Sequence, residues 1–295
     1  DHGPWPRMSP QERIEVVARL SGLYAARLEE MATVISTEMG SPISFSNLAQ
    51  APAPWMQIEA FLKIAREFPW EDTRAGALGG EVVVRHEPIG VVAAIPPWNV
   101  PQFTVLSKVI PALLAGCTIV VKPAPETPLD TYLLADLIIE AGVPEGVVSI
   151  VAGGREVGEH LVRHPGVDKV AFTGSTAAGR RIGAICGEQL KRVSLELGGK
   201  SAAIVLDDAD LSEVMPHALQ WAVINSGQTW SALTRLVVPR DKLAEVEQAA
   251  KAIADSITVG DPTDEGTVLG PLVSQAQLDR AGCRHRRCRW RCSPR

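Results

Sequence analysis

Several short segments of the chain combine residue types that could do chemistry. In "FTGSTAAGR" (172–180), Gly174 allows a tight turn after a strand and Ser175 can cap the helix that follows. The first N–H groups of such a helix point at an anion and suit a pyrophosphate, although plain capping would use the same residues. In "VVKPAPE", Lys122 ends a strand, where its ammonium could meet a ribose or phosphate or simply water. In "PPWN", Asn99 follows another strand end; its carboxamide could stabilise an oxyanion or only form a turn. In "SLELGGKS" (194–201), Glu196 sits among apolar residues before two glycines that admit close approach. A carboxylate so placed is expected to have a raised pKa and to suit general-base work, unless a neighbouring Lys or Arg pairs with it. "NSGQTWSALTR" (225–235) has the small residues and amides of an active-site loop, with Trp230 at its centre. An indole can neither attack a substrate nor carry a proton.

These residues need a scaffold that brings strand ends together, and the flanking pattern supplies one. "SPQE" (9–12) is a capping box with Pro10 at the first helical position, opening a periodic helical segment through Leu20, Leu28 and Met31. A second helix is expected to run to about Phe68, and "GGEVVVRHEP" reads as an exposed strand or arm at 79–90. From residue 90, "GVVAAIP", "CTIVVKP", "VVSIV", "KVAFTG" and "RVSLEL" alternate with helices at about 103–115, 128–141, 156–164 and 176–189. Short apolar strands joined by helices predict an α/β fold, a doubly wound Rossmann-like parallel sheet, with ligands at the carboxyl ends of its strands. A second α/β unit follows Gly199, with a helix near 211–224, the strand "TRLVVP" and a helix at 241–257. The expected domains are 1–198, dinucleotide-binding; 199–278, catalytic and truncated; and 279–295, a basic tail.

Composition narrows the function classes. The 46% apolar and 21% charged content is that of an ordinary globular chain, and no apolar run reaches the length of a membrane helix. The tail holds seven Arg against one Asp, which leaves a net charge of −11 on the rest and argues against nucleic-acid or anionic-membrane partners. The opening "DHGPWPRMSPQER" has no signal-peptide pattern and no initial Met, and reads as a fragment of a cytoplasmic protein. Three of the five cysteines, Cys283, Cys288 and Cys292, lie in the tail. Their C-x4-C-x3-C spacing with His285 matches no zinc pattern, so no metal site is expected and the tail reads as an out-of-frame extension.

In this order and spacing, "PPWNVP", "KPAPETP", "FTGSTAAGR", "LELGGKS" and "NSGQTWSALTR" resemble the NAD(P)-dependent aldehyde dehydrogenase superfamily, from about Met8 to about Leu278. The resemblance implies oxidation of an aldehyde to a carboxylate. A cysteine attacks the aldehyde, an Asn and a backbone N–H hold the oxyanion, hydride passes to nicotinamide, and a Glu-activated water cleaves the thioester. Carried over by position, it implies Asn99 as oxyanion donor and Glu196 as general base. Trp98, Lys122, Gly174, Ser175, Glu196 and Leu197 would bind the cofactor, and homo-oligomers are implied as partners.

Three departures bear on activity. The family's nucleophile falls at Trp230, whose indole is expected to fill the tunnel where aldehyde and nicotinamide meet; Ser231 beside it has no matched base. Where the family often has an acidic residue after the lysine stands Pro125, with Glu126 next, so the reading leans to NAD and leaves NADP open. The downstream "E-x-F-G-P" segment is not in the sequence. The chain therefore reads as a pseudoenzyme, or alternatively as a non-catalytic dinucleotide-binding or oligomer-interaction remnant.

Overall fold

Local chemistry fixes the first helix, α1 (Pro10–Ala25). Ser9 Oγ accepts from the Glu12 N–H at 3.3 Å while the Ser9 N–H donates to Glu12 Oε2 at 2.6 Å, and Pro10 stands where no N–H is needed. The periodic segment expected to continue through Met31 is in fact broken by a two-residue turn at Ala26 and Arg27, after which α2 (Leu28–Met39) begins. A single turn, α3 (Ile43–Phe45), and a π-helical turn at Ser46–Gln50 lead into α4 (Pro52–Glu67). The computed structural model describes residues 3–287; Cys288 and Cys292 of the tail, and the side chains of Cys283 and His285, lie outside what is described.

By density of internal contacts the chain divides into two units, Asp1–Ile35 with Ser46–Gly198, and Ser36–Phe45 with Gly199–Arg295. The first is organised by five parallel strands: β3 (Val91–Ile95), β4 (Thr118–Val121), β5 (Val148–Ile150), β6 (Lys169–Gly174) and β7 (Arg192–Leu197). Their order is β5-β4-β3-β6-β7, so the chain winds outward from β3 in one direction and then returns to its other side. The helices between them are α5 (Pro101–Leu114), α6 (Leu129–Glu140), α7 (Arg155–Arg163) and α8 (Thr176–Glu188). Period-two alternation sends Ala93 and Ile95 of β3 to one face, where they pack with Val170 and Phe172 of β6, Val162 of α7 and Ile182, Ile185 and Cys186 of α8. The alternate residues, Val92 and Ala94, are also buried, so β3 is covered on both faces. A doubly wound sheet of this order has its ligand crevice at the carboxyl ends of the strands flanking the reversal point, here β3 and β6.

One expected strand differs in environment. β7 is the edge of the sheet and is largely exposed, Glu196 included, because nothing pairs with its outer side among the described residues. The arm at 81–85 also has a partner that the sequence did not suggest. β1 (Glu71–Ala75) pairs antiparallel with β2 (Glu81–Arg85), Asp72 opposite Val84, and the pair stands exposed with Val82 and Val83 half in solvent.

In the second unit, β8 (Ala202–Ile204) runs parallel to β9 (Arg235–Val237). Val205, Leu211, Met215 and Val246 form its small core between α9 (Leu211–Val223) and α10 (Leu243–Asp255), and α11 (Gln275–Arg287) follows. Residues 36–45 were expected in the first domain. They belong to this unit because the Ile43 N–H donates to Pro262 O at 2.7 Å and Gly40 packs against Pro271 at a positive φ of 76°.

Candidate functional site

The carboxyl ends of β3, β4, β6 and β7 carry the residues picked out by chemistry. After β3 the turn 98–100 leads into α5, with Asn99 half-buried. Side chains reach the carbonyls of this turn from three directions. Thr127 Oγ1 donates to Trp98 O at 3.3 Å, Gln50 Nε2 to Asn99 O at 3.2 Å, and Thr104 Oγ1 to Val100 O at 2.9 Å. Each donor is buried, so these bonds form away from water, where an unmet carbonyl would be costly.

Lys122, at the end of β4, is buried. Its Nζ donates to Pro123 O at 2.7 Å and to Gly153 O at 2.9 Å, and its stem lies beside Gly158 of α7. Burial lowers its pKa from the ordinary lysine range, with the charge of Glu126 opposing the shift. The free-swinging surface lysine considered from sequence is thus replaced by an ammonium fixed at the strand end.

β6 ends at Gly174 and α8 begins with Ser175 as its cap, the serine Oγ accepting from the Ala178 N–H at 3.3 Å. Gly174 cannot be exchanged for a larger residue without disturbing Phe172, because an added Cβ would lie 2.5 Å from the ring. The first turn of α8 contains no acidic residue, so its N–H groups and helix dipole are left to favour an anion.

Glu196 departs from expectation. It lies exposed on an edge strand rather than enclosed among apolar residues. A second lysine of this region with a lowered pKa is Lys108, partly buried on α5, which the sequence reading passed over. Its Nζ donates to Thr173 Oγ1 of β6 at 2.8 Å and to Thr104 O at 3.1 Å. Burial brings its pKa down to about 8, and the carboxylate of Glu196 pulls the other way. The one available signal was a single cation inside the apolar run "TVLSKVIPALL".

The sign of the consequence follows from linkage. The folded pKa of Lys108 lies below its ordinary value of 10.5, so between about pH 8 and 10.5 the unfolded chain binds more protons. Stability from this group therefore rises with pH across that window and is lost as pH falls through about 8. Relative to a Lys108→Met variant, the wild-type chain should gain at most about 3 kcal/mol over this range, as read by urea unfolding at several pH values. An unchanged difference between the two proteins would place the ammonium in water.

Trp230 belongs to the second unit. Before it, Asn225, Ser226 and Gly227 take left-handed conformations in succession, with φ of 55°, 56° and 72°. Such backbone is strained for Asn and more so for Ser, and persists only where the surroundings hold it. Here Ser226 Oγ accepts from the Gly270 N–H at 2.9 Å and Gln228 Oε1 from the Val273 N–H at 3.0 Å. The segment is fixed rather than loose. Trp230 itself is 50% exposed. Among the described side chains, thiols occur at Cys117 and Cys186; both are buried, and burial raises the pKa of Cys186. No cluster of potential metal ligands is found among the described residues, and no helix there is long and apolar enough to cross a membrane.

Residues 1–284 match the aldehyde dehydrogenase family. The chain belongs to that family. Among curated aldehyde dehydrogenases it is 41% identical over 275 residues to geranial dehydrogenase of Castellaniella defragrans, covering 93% of this chain and 58% of that one. It is 42% identical over 278 residues to 3-succinoylsemialdehyde-pyridine dehydrogenase of a Pseudomonas species, covering 94% and 57%. A solved aldehyde dehydrogenase of Mycobacterium tuberculosis in complex with NAD+ superposes with a TM-score of 0.93 at 41% identity, over 96% of this chain and 59% of that one. A cysteine-to-alanine variant of aldehyde dehydrogenase C from Pseudomonas syringae, in complex with NAD+ and octanal, gives 0.91 at 40% identity, over 95% and 57%. The chain thus spans somewhat over half the length of the relatives it matches.

Proposed function

We propose that this chain is an aldehyde dehydrogenase-family protein that binds NAD+ and does not complete aldehyde oxidation. The observation that carries the proposal is the residue at 230. The family reaction needs a nucleophile that becomes a thiolate near neutrality, and the sequence has an indole there. The thiols of Cys117 and Cys186 offer no substitute, since both are buried out of reach of substrate and burial raises the pKa of Cys186.

Binding is argued separately. The α8 N-terminus with Ser175, the fixed ammonium of Lys122 and the small Gly174 suit a pyrophosphate and an adenosine ribose at the strand ends. When bound, the cofactor would supply the hydride acceptor; this chain's residues would only hold and orient it. Trp98, Glu196 and Leu197 are assigned to the same cleft by their places in the motifs. The Pseudomonas syringae variant supports separating binding from chemistry, because it holds both NAD+ and octanal with its cysteine changed to alanine.

For the family reaction, Asn99 is assigned as oxyanion donor and Glu196 as general base toward water. Lys108 interacts electrostatically with Glu196 and loses its proton near pH 8, which makes it a candidate to take up a proton in the same step. An aldehyde as substrate and a second copy of the chain as partner belong to the same proposal. A calorimetric titration of the purified chain with NAD+ tests the binding half: saturable heat with one site per chain is expected, and its absence would remove the reading.

A further inference from the structure

We infer that Gln50 is a positioning residue for the oxyanion donor Asn99, an inference that rests on the role just proposed for Asn99. The two residues lie 49 positions apart, and the sequence between them shows no reason for them to meet. The structure joins them through the bond from Gln50 Nε2 to Asn99 O at 3.2 Å.

The approach of Gln50 depends on an irregular piece of backbone. Residues 46–50 form a π-helical turn closed by the bond from the Ala51 N–H to Ser46 O at 3.1 Å, one residue wider than an α-turn. Such turns cost regular hydrogen bonding and occur often at functional sites. The prolines that follow, Pro52 and Pro54, lack the N–H groups that would continue the regular ladder backward from α4. The wider turn leaves Gln50 at its end, 2% exposed, with its carboxamide against the carbonyl of residue 99.

Fixing the peptides on both sides of Asn99 orients its Cα–Cβ bond. The ψ rotation lies between the carbonyl of 99 and that bond, so the bonds to Asn99 O from Gln50 and to Trp98 O from Thr127 together hold both flanking peptides and set the direction in which Cβ leaves the backbone. Thr127 and Thr104 secure the neighbouring peptides. Gln50 acts on residue 99 from outside the strand–helix connection. An oxyanion donor acts only when aimed where charge develops, so a small rotation of this peptide should be felt in rate and hardly in stability.

The test uses the full chain carrying Trp230→Cys, with Gln50→Met, Gln50→Glu or Asn99→Ala added. Neither Met nor a carboxylate can donate to the carbonyl, and both keep the length of glutamine. Acylation of the new thiol by p-nitrophenyl acetate passes through an oxyanion; alkylation by iodoacetamide does not. Asn99→Ala should slow acylation on the order of 100-fold, and each Gln50 variant about 10-fold, with alkylation unchanged. In carbon- and nitrogen-labelled chain, Gln50→Met should shift the Asn99 carbonyl and carboxamide signals and leave those of Val109 in place. If Asn99→Ala slows acylation while both Gln50 variants acylate normally, the inference is wrong and the role of Asn99 stands. If Asn99→Ala also acylates normally, or the Trp230→Cys chain is not acylated at all, the proposed site fails and the inference with it. Unmoved Asn99 signals in Gln50→Met would overturn the inference by themselves.

Discussion

Replacing Trp230 by cysteine should turn an inert position into a reactive one. Mass spectrometry of the wild-type chain is expected to find negligible acetylation by p-nitrophenyl acetate and negligible iodoacetamide labelling at Cys117 and Cys186 under native conditions, because both thiols are buried. In Trp230→Cys, attack of the thiolate on the ester carbonyl forms the carbon–sulfur bond and expels p-nitrophenolate, leaving a thioester. The burst should approach one equivalent and proceed at least about 100-fold faster than any release by the wild-type chain. Structural cost should be small, since half of the indole already meets solvent and the loop is held through Ser226 and Gln228 rather than through residue 230. Stopped-flow absorbance gives the burst, and mass spectrometry locates the acetyl group. Acetylation found on Cys117 or Cys186 instead would show that the nucleophile position has been misassigned.

The second large effect concerns cofactor binding. Exchanging Lys122 for alanine removes a buried ammonium that bonds Pro123 O and Gly153 O, and exchanging Ser175 for proline removes both the cap of α8 and an N–H at its start. Together Lys122→Ala and Ser175→Pro should weaken NAD+ binding by at least about 100-fold in a calorimetric titration, as expected for losing a charged contact and an anion-facing donor. Loss of the cap costs about 1 kcal/mol of stability, so the variant should still unfold cooperatively at a lower midpoint. Equal affinity in the variant and the wild-type chain would move the cofactor away from these strand ends.

Much of this was legible in the sequence because it depends on local pattern. The buried strands β3, β4 and β6 are short apolar runs between helical segments, and the capping box at Ser9 and the cap at Ser175 are carried by residues three apart. What depended on tertiary neighbours was not. Glu196 lies in an apolar run that reads as a buried strand, yet β7 is the edge of the sheet, and strand order cannot be read from one strand. β1 has the sequence EDTRA, without apolar alternation, and exists as a strand through its pairing with β2. The lowered pKa of Lys108 arises where α5 meets Thr173, and the bond from Gln50 to Asn99 arises from a π-turn whose extra residue leaves no periodic trace. The left-handed run at 225–227 was partly visible, since Asn and Gly tolerate that backbone; Ser226 between them gave no warning.

The central claim is that a chain with Trp230 holds the dinucleotide without turning it over. The measurement is NADH formed per chain when the purified wild-type protein, saturated with NAD+, is mixed with excess octanal or phenylacetaldehyde and followed by absorbance, then repeated with NADP+. The account predicts far less than one equivalent with either cofactor over hours, in protein that shows saturable NAD+ binding by calorimetry. Continued formation of many equivalents per chain, abolished by Asn99→Ala, would contradict it.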